Sequence, residues 1–169
     1  MSNKLSYYVI QTEENREFSV KKKLISLFKE ADVIVPVRRV RKSIKGENFM
    51  YFDRLMPDYV LFGVEELTSA HTDKILDIKG IVSMLTESYS GTQKPSALSK
   101  DECKRFTRSV DELEISKIIT GDINVVFGQY AGFKATINKR LDDEIVVVIE
   151  TRTKPKARLP LWYLAKKLS

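Results

Sequence analysis

The sequence changes character at Gly121, and this change limits the possible folds more than any other feature. Before it, apolar runs with strand character alternate with segments of helical periodicity. After it, runs of about five apolar or β-branched residues, such as Ile145–Ile149, are separated by turn residues. Short strands of this kind predict a small β-barrel. We therefore expect two domains, residues 1–108 and 121–169, joined by a linker at residues 109–120.

The part before the change is predicted to be an α/β sandwich, in which helices cover a mostly antiparallel sheet. Tyr7–Thr12 reads as a buried strand, and a helix is expected in the following EENREFSVKKKLISLFKE, with Thr12 as its candidate cap. A second helix is expected over Ser69–Ile78. The polar segment Ser88–Ser99 predicts a loop, after which Ser99 and Glu102 have the spacing of a capping box. The two parts together give the class α+β.

The net charge of +6 favours contact with a polyanion or an acidic surface. From Leu113 onward, ten lysines and arginines face six carboxylates. The run TRTKPKAR predicts a basic loop suited to phosphate contacts, although a solvated charged loop is the alternative. Candidate RNA-binding residues lie in the second part, in the segment before the linker and in the run RRVRK: Lys134, Lys139, Arg140, Arg152, Lys154, Lys156, Arg158, Lys104, Arg105, Arg108, Arg38, Arg39 and Arg41.

Catalytic motifs are absent from the sequence, which has one histidine and one cysteine and lacks HExxH, P-loop, GxSxG and GxGxxG patterns. Cys103 reads as a packing residue and His71 as a surface or cap residue. Asp142 and Asp143 are explained as the tip of a hairpin. We expect no enzyme activity, no cofactor and no metal. The absence of a signal pattern and of a run of ~20 apolar residues makes the cytoplasm the expected compartment.

Four motifs, in this order, resemble the NusG family of transcription elongation factors over nearly the whole chain: YYVIQT, the EENRE helix, MPDYVLF and GDINVVFGQYAGFKATI. The resemblance implies an amino-terminal NGN domain and a carboxy-terminal KOW domain with an SH3-like barrel. In the KOW motif, Gly128 and Gly132 are expected to permit a tight turn around Tyr130. Tyr130 and Phe133 are divided between core and partner surface.

The resemblance also implies a binding site for RNA polymerase on the first domain. Tyr7, Met56 and Tyr59 would line an apolar concavity that receives the coiled coil of the largest subunit, although Tyr59 is equally explained as a core residue. Ser69, His71 and Thr72 match the segment that touches the other side of the polymerase cleft. Bridging the cleft would suppress pausing and termination.

Three positions depart from the family pattern. Asp58 replaces a glycine, and aspartate tolerates the left-handed conformation that the turn needs. Ala135 replaces the last KOW glycine and predicts a slightly altered turn. Glu150 stands where an apolar residue would dock a ribosomal protein or Rho, and a carboxylate makes that contact costly.

The departure at Glu150 favours a specialised paralog. VIVPVRRVRKS and SVDELEISKIITGD are most similar to the LoaP group of processive antiterminators, which implies recruitment by a hairpin in the nascent leader RNA. The alternative is a general NusG-like adaptor, which an exposed apolar patch around Tyr130, Phe133 and Ile149 would favour. In either case we expect a monomer.

Overall fold

The computed structural model of the protein describes residues 4–106, 115, 120 and 122–168. The chain forms two compact units, here called unit 1 (Met1–Pro36 and Leu55–Ser109) and unit 2 (Val37–Arg54 and Val110–Ser169). In chain order, the elements are β1 (Ser6–Thr12), α1 (Glu17–Leu27), β2 (Asp32–Ile34), β3 (Val37–Ile44), β4 (Glu47–Arg54), β5 (Tyr59–Val64), α2 (Ser69–Leu76), β6 (Ile81–Met84), β7 (Thr86–Tyr89), β8 (Thr92–Pro95), α3 (Lys100–Phe106), β9 (Asp122–Val125), β10 (Lys134–Arg140), β11 (Glu144–Ile149), β12 (Lys156–Pro160), a 3₁₀ turn (Leu161–Tyr163) and β13 (Leu164–Lys167).

Unit 1 is built on a four-stranded antiparallel sheet in the order β2-β5-β1-β6. Helix α1 contributes the fully buried Val20 and Leu24 to the core. The Phe28 ring, just after α1, packs edge-on against Phe62 of β5, with 5.2 Å between the ring centroids. The antiparallel sheet and its helices confirm the predicted α+β class.

The start of α1 differs from the sequence prediction. The helix begins at Glu17, and its N-cap position is Arg16, which makes no side-chain cap hydrogen bond. Thr12 is buried at the end of β1, where its backbone N–H donates to the Asp58 carbonyl at 2.8 Å. The prediction that Thr12 caps this helix was wrong because the strand holds that residue.

The predicted loop over Ser88–Ser99 was also partly wrong. Strands β7 and β8 pair as an antiparallel hairpin, with Thr86 opposite Pro95 and Tyr89 opposite Thr92. The polar composition hid the hairpin because the side chains of Thr86–Ser88 and Thr92–Lys94 are exposed and that of Pro95 is half-buried, so these residues do not alternate between core and solvent. The capping box before α3 is confirmed: the Ser99 N–H donates to the Glu102 carboxylate at 2.8 Å, and the Glu102 N–H donates to the Ser99 hydroxyl at 3.3 Å.

Unit 2 contains a seven-stranded antiparallel sheet in the order β12-β11-β10-β9-β13-β4-β3. The strands β9 to β13 match the predicted short strands of the second domain, and Asp142 and Asp143 lie between β10 and β11, as predicted for a hairpin tip. The alternation along β11 is clear, since Ile145, Val147 and Ile149 are fully buried. These three side chains form one wall of the core of unit 2.

The hairpin β3–β4 extends this sheet, although its sequence lies between elements of unit 1. Strand β4 pairs with β13, where Phe49 is opposite Lys167 and Tyr51 is opposite Ala165. Beneath the pairing, Phe49 packs in a buried cluster with Val126 and Ala165. The Lys167 ammonium adds an ion pair to the Glu47 carboxylate. The predicted domain of residues 1–108 therefore differs from unit 1 at Val37–Arg54, and most of the predicted linker 109–120 lies outside the described residues.

Candidate functional site

The structure places two of the candidate polymerase-binding residues on one face of the unit 1 sheet. Tyr7 is opposite Gly63 in the register between β1 and β5, and Tyr59 is opposite Gln11. Because side chains alternate along a strand, Tyr7 and Tyr59 point to the same face, at the two ends of this strand pair. Both are half-buried. The face is therefore aromatic and partly accessible at both ends.

The Tyr7 ring is fixed by its contact with Gly63 and by a hydrogen bond from its hydroxyl. A Cβ on Gly63 would lie 2.5 Å from the ring carbon Cε1 of Tyr7, so only glycine allows the ring to lie flat on β5. The Tyr7 hydroxyl donates to the Asp32 carboxylate at 2.5 Å. Burial, followed by this hydrogen bond, raises the pKa of the Tyr7 hydroxyl, which therefore remains a neutral donor. The ring is consequently held in one orientation.

Met56 lies in the turn before β5, and the conformation of this turn depends on Asp58. Asp58 has a φ of 64°, which confirms the predicted left-handed conformation. Its N–H donates to the carboxylate of Glu17 at 3.0 Å, and its own carboxylate accepts from the Asn15 N–H at 3.0 Å. Glu17 is 1% exposed. The role of Glu17 was not predicted from the sequence. Its only signal there is an acidic residue in the first turn of a helix that has an apolar face.

Replacing Glu17 with alanine is expected to destabilise unit 1 by about 2 kcal/mol, because the Asp58 N–H would lose its partner in a partly buried turn. Chemical denaturation of the full chain measures this difference. Glu17→Gln keeps an accepting oxygen and is expected to recover most of the loss. An equal loss for both variants would show that the turn does not depend on this acceptor.

The other candidates, Ser69, His71 and Thr72, lie in the first turn of α2. The His71 Nδ1 accepts from the Thr68 N–H at 3.1 Å, and the His71 N–H donates to the Thr68 hydroxyl at 3.2 Å, so His71 completes a capping box. Its ring also packs edge-on against Phe28, at 5.4 Å between centroids. The Thr72 hydroxyl donates to the Thr68 carbonyl at 3.3 Å, and Ser69 is exposed.

These two groups of candidates lie on opposite faces of the unit 1 sheet. His71 also lies near Phe62, with 6.5 Å between the ring centroids. Phe62 is one residue away from Leu61 and Gly63, so its side chain points away from the face that carries Tyr7 and Tyr59. The two groups could therefore contact separate surfaces of a partner.

The charge of the protein is divided unequally between the units. Unit 2 has sixteen lysines and arginines against ten carboxylates, whereas unit 1 has thirteen of each, so unit 2 carries the whole net charge of +6. The hairpin β3–β4 accounts for six of these basic residues and two of the acids. The second part of the chain was thus correctly predicted to be basic, but the contribution of the hairpin was underestimated.

The candidate RNA-binding residues that belong to β10–β12 and the turn before β12 are all exposed. Lys139 and Arg158 are both opposite Val146, so these three residues form a row on the outer face of β10–β12. Lys156 lies opposite Val148 on the same face. The predicted loop TRTKPKAR was partly wrong, because Lys156–Arg158 belong to β12 and pair with β11. The other exposed candidates on β10–β12 and in the turn before β12 are Lys134, Arg140, Arg152 and Lys154.

The candidates on β3 do not join that row. Arg38, Arg39 and Arg41 are exposed on β3, which lies at the opposite edge of the unit 2 sheet from β12. Arg38 forms an ion pair with Asp53 at 3.0 Å. Lys104 and Arg105 are exposed on α3 of unit 1, and Arg108 lies outside the described residues.

The turn around Tyr130 has the glycine conformations that were predicted for it. Gly128 and Gly132 have φ values of 78° and 92°, on either side of the half-buried Tyr130. A Cβ on Gly128 would lie 2.8 Å from the Tyr163 ring, so this glycine also permits a close contact. Phe133 is 44% exposed. Ala135, in contrast, is fully buried in β10 opposite Ile149, so the prediction that it alters a turn was wrong.

Glu150 follows the last residue of β11 and is exposed. Its carboxylate accepts from the Thr136 hydroxyl at 3.4 Å. It lines an open cavity of about 390 Å³ together with Thr136, Val148, Thr151 and Lys154. Ile149 beside it is fully buried. An apolar patch that includes Tyr130, Phe133 and Ile149 is therefore not exposed as a whole.

Within residues 4–106, 115, 120 and 122–168, no group of three or more His, Cys, Asp or Glu side chains could hold a metal ion. Burial raises the pKa of the Cys103 thiol, which disfavours its nucleophilic form. Over the same described residues, no helix has the length and hydropathy to cross a membrane.

The chain is similar to known proteins in a family model, in sequence and in structure. A family model described as "Transcription termination factor nusG" matches residues 5–107. The curated transcription termination/antitermination protein NusG of Lactococcus lactis subsp. lactis (strain IL1403) is 24% identical over 155 residues, which cover 85% of this chain and 83% of that protein. Two solved structures each align with 96% of this chain and 97% of their own. "Domain interaction in Thermotoga maritima NusG" has 15% identity and a TM-score of 0.45, and the MjSpt4:Spt5 complex has 13% identity and a TM-score of 0.34.

The matched residues define a protein of the transcription termination and antitermination class. Because the family model matches more than half of the chain, the protein belongs to the NusG family.

Proposed function

We propose that this protein is a non-catalytic, cytoplasmic and monomeric regulator that suppresses pausing and termination by RNA polymerase. Unit 1 binds the coiled coil of the largest polymerase subunit, and unit 2 contacts nascent RNA. The observation that carries this proposal is the division of charge in a NusG family member: unit 1 is neutral, and unit 2 carries the whole +6. An aromatic face on a unit without net charge suits a protein partner, whereas a basic unit suits a polyanion.

The two faces of unit 1 support the polymerase part of the proposal. Tyr7 and Tyr59 provide rigid aromatic side chains on one face. Tyrosine is one of the residue types that contribute most to the binding energy of interfaces. On the opposite face, α2 presents its first turn, in which Ser69 is exposed. Contacts on two faces allow one domain to bridge two polymerase surfaces. Bridging would oppose opening of the polymerase cleft and so reduce pausing.

Glu150 supports the more specific proposal of a processive antiterminator similar to the LoaP group. An exposed carboxylate hydrogen-bonded to Thr136 is a poor surface for an apolar partner contact. The basic row at Lys139 and Arg158 instead offers phosphate contacts. Recruitment by a leader RNA hairpin fits such a surface better than docking of Rho does.

A second candidate function is that of a general adaptor whose KOW domain docks a ribosomal protein or Rho. Phe133, which is 44% exposed, favours it because an exposed phenylalanine suits a protein interface. The full burial of Ile149 weighs against it, since the apolar patch that this function needs is then smaller.

Capture of purified RNA polymerase by the immobilised full chain tests the proposal. We expect capture, and we expect free coiled-coil fragment of the largest subunit to compete for it. A chain that retains no polymerase at low salt would contradict the proposed function.

The RNA part predicts that binding to a leader hairpin weakens as salt increases. Replacing Arg152, Lys154 and Arg158 with glutamine is expected to reduce the magnitude of the negative slope of log K against log salt by about 2, since each phosphate contact contributes about 0.7–0.9. Gel-shift titration across a salt series measures this slope. Replacing Lys21, Lys22 and Lys23 with glutamine makes the same change in charge on unit 1 and should leave the slope unchanged. Equal slopes for both triple variants would exclude phosphate contacts by Arg152, Lys154 and Arg158.

A further inference from the structure

Three aromatic rings meet at the surface of unit 2 and are here called the ring cluster: Tyr51 on β4, Phe127 after β9, and Tyr163 before β13. The Tyr51 and Phe127 rings meet edge-on, with 5.4 Å between centroids and 75° between planes. Phe127 and Tyr163 are 6.1 Å apart at 56°. All three residues are half-buried, so each keeps part of its surface exposed.

The ring cluster rests on a fixed base. Beneath it lies the buried cluster of Phe49, Val126 and Ala165. The Val126 N–H donates to the Tyr163 carbonyl at 2.8 Å, which joins the strand end at β9 to the turn before β13. The Tyr163 ring also lies against Gly128, where any side chain would collide with it. The rings are therefore held in place by the fold before any ligand binds.

A lysine ammonium lies against the ring cluster. The Lys42 ammonium of β3 lies 4.7 Å from the centroid of the Phe127 ring, a cation–π distance. Lys42 is exposed, and its flexible side chain can exchange the ring for a nearby phosphate. The surrounding unit carries the whole net charge of +6.

We propose that the ring cluster and Lys42 bind single-stranded RNA, with an unpaired base stacked on Phe127 and the adjacent phosphate paired with Lys42. Partly exposed rings combined with a cation are the usual means of holding single-stranded nucleic acid, since every base presents a π-face. An apolar protein ligand would leave the charge of the unit unexplained. This inference rests on the proposed RNA-binding function and adds to it a separate contact, because the ring cluster lies on other strands than the row at Lys139 and Arg158.

The probe for this inference is a single-stranded RNA 12-mer with one 2-aminopurine, and the same strand annealed to its complement serves as the paired form. The full chain is expected to quench the 2-aminopurine of the single strand and to leave the paired form unquenched. Phe127→Leu is expected to weaken single-strand binding about tenfold and remove the quenching, with the slope of log K against log salt unchanged.

Two control variants distinguish the loss of base stacking from the loss of folding and from the loss of an aromatic side chain elsewhere. Phe127→Tyr keeps a ring and is expected to retain both affinity and quenching. Tyr8→Leu removes a half-buried aromatic side chain of unit 1, far along the chain from the ring cluster, and is expected to bind as the wild type does. Tyr51→Leu provides a second test if Phe127→Leu fails to fold.

The outcomes distinguish this inference from the proposed function. Salt-dependent binding by the wild type that is unchanged in both Phe127→Leu and Tyr51→Leu would overturn the stacking site and leave RNA binding intact. Equal quenching of the single-stranded and paired forms would also overturn it. A wild-type chain that binds neither form would overturn the stacking site together with the RNA part of the proposed function.

Discussion

Replacing Tyr7 and Tyr59 together with alanine is expected to weaken binding of RNA polymerase by about thirtyfold or more, since a central aromatic residue of an interface contributes about 2 kcal/mol or more. The two rings lie at the ends of one strand pair on the same face of unit 1, and both are half-buried. Surface plasmon resonance with immobilised polymerase measures the change in Kd.

The matched control is the double variant Tyr7→Phe and Tyr59→Phe, which keeps both rings. It loses the hydrogen bond between the Tyr7 hydroxyl and Asp32, and we expect it to retain most of the affinity. A chain with both alanines that folds normally and still binds polymerase as the wild type does would show that this face is not the contact surface.

Phe49→Ala is expected to destabilise unit 2 by about 3 kcal/mol or more, because it removes a buried ring from a packed cluster. Phe49 is 5% exposed and contributes the hairpin β3–β4 side of the packing with Val126 and Ala165. The protein has one tryptophan, Trp162, which is 5% exposed in unit 2, so its fluorescence reports unfolding of this unit. Denaturant titration of that signal measures the loss.

Phe133→Ala is the matched control for this prediction. It removes the same ring from a position that is 44% exposed, and we expect a change of about 0.5 kcal/mol or less. If Phe49→Ala were as mild as this control, the hairpin would not pack on β13 in solution. The ring cluster would then lose Tyr51 and Lys42.

Features that depend on neighbouring residues could be predicted from the sequence. The capping box of Ser99 and Glu102 follows from the chemistry of adjacent residues, whereas the left-handed Asp58 and the turn around Tyr130 follow from the family resemblance together with the backbone preferences of aspartate and glycine. The same holds for the hairpin tip at Asp142, which lies in a polar turn between two short strands. In these cases, local preference and the final structure agree.

Features that depend on distant residues could not be predicted in this way. Phe49 and Lys167 face each other across β4 and β13, although more than two thirds of the chain separates them. The basic hairpin was consequently assigned to the first domain, and the ring cluster was missed because Tyr51, Phe127 and Tyr163 come from three separate segments. The support of the Asp58 turn by the buried Glu17 was missed for the same reason.

The central claim is that the protein binds RNA polymerase through the Tyr7 and Tyr59 face and thereby reduces termination. Single-round transcription with purified polymerase, on a template with one intrinsic terminator, tests it most directly. The account predicts that adding the wild-type protein increases the fraction of full-length transcript. It also predicts that the variant with alanine at Tyr7 and Tyr59 has no effect at the same concentration. An unchanged transcript pattern with the wild type, or equal read-through with both proteins, would contradict the account.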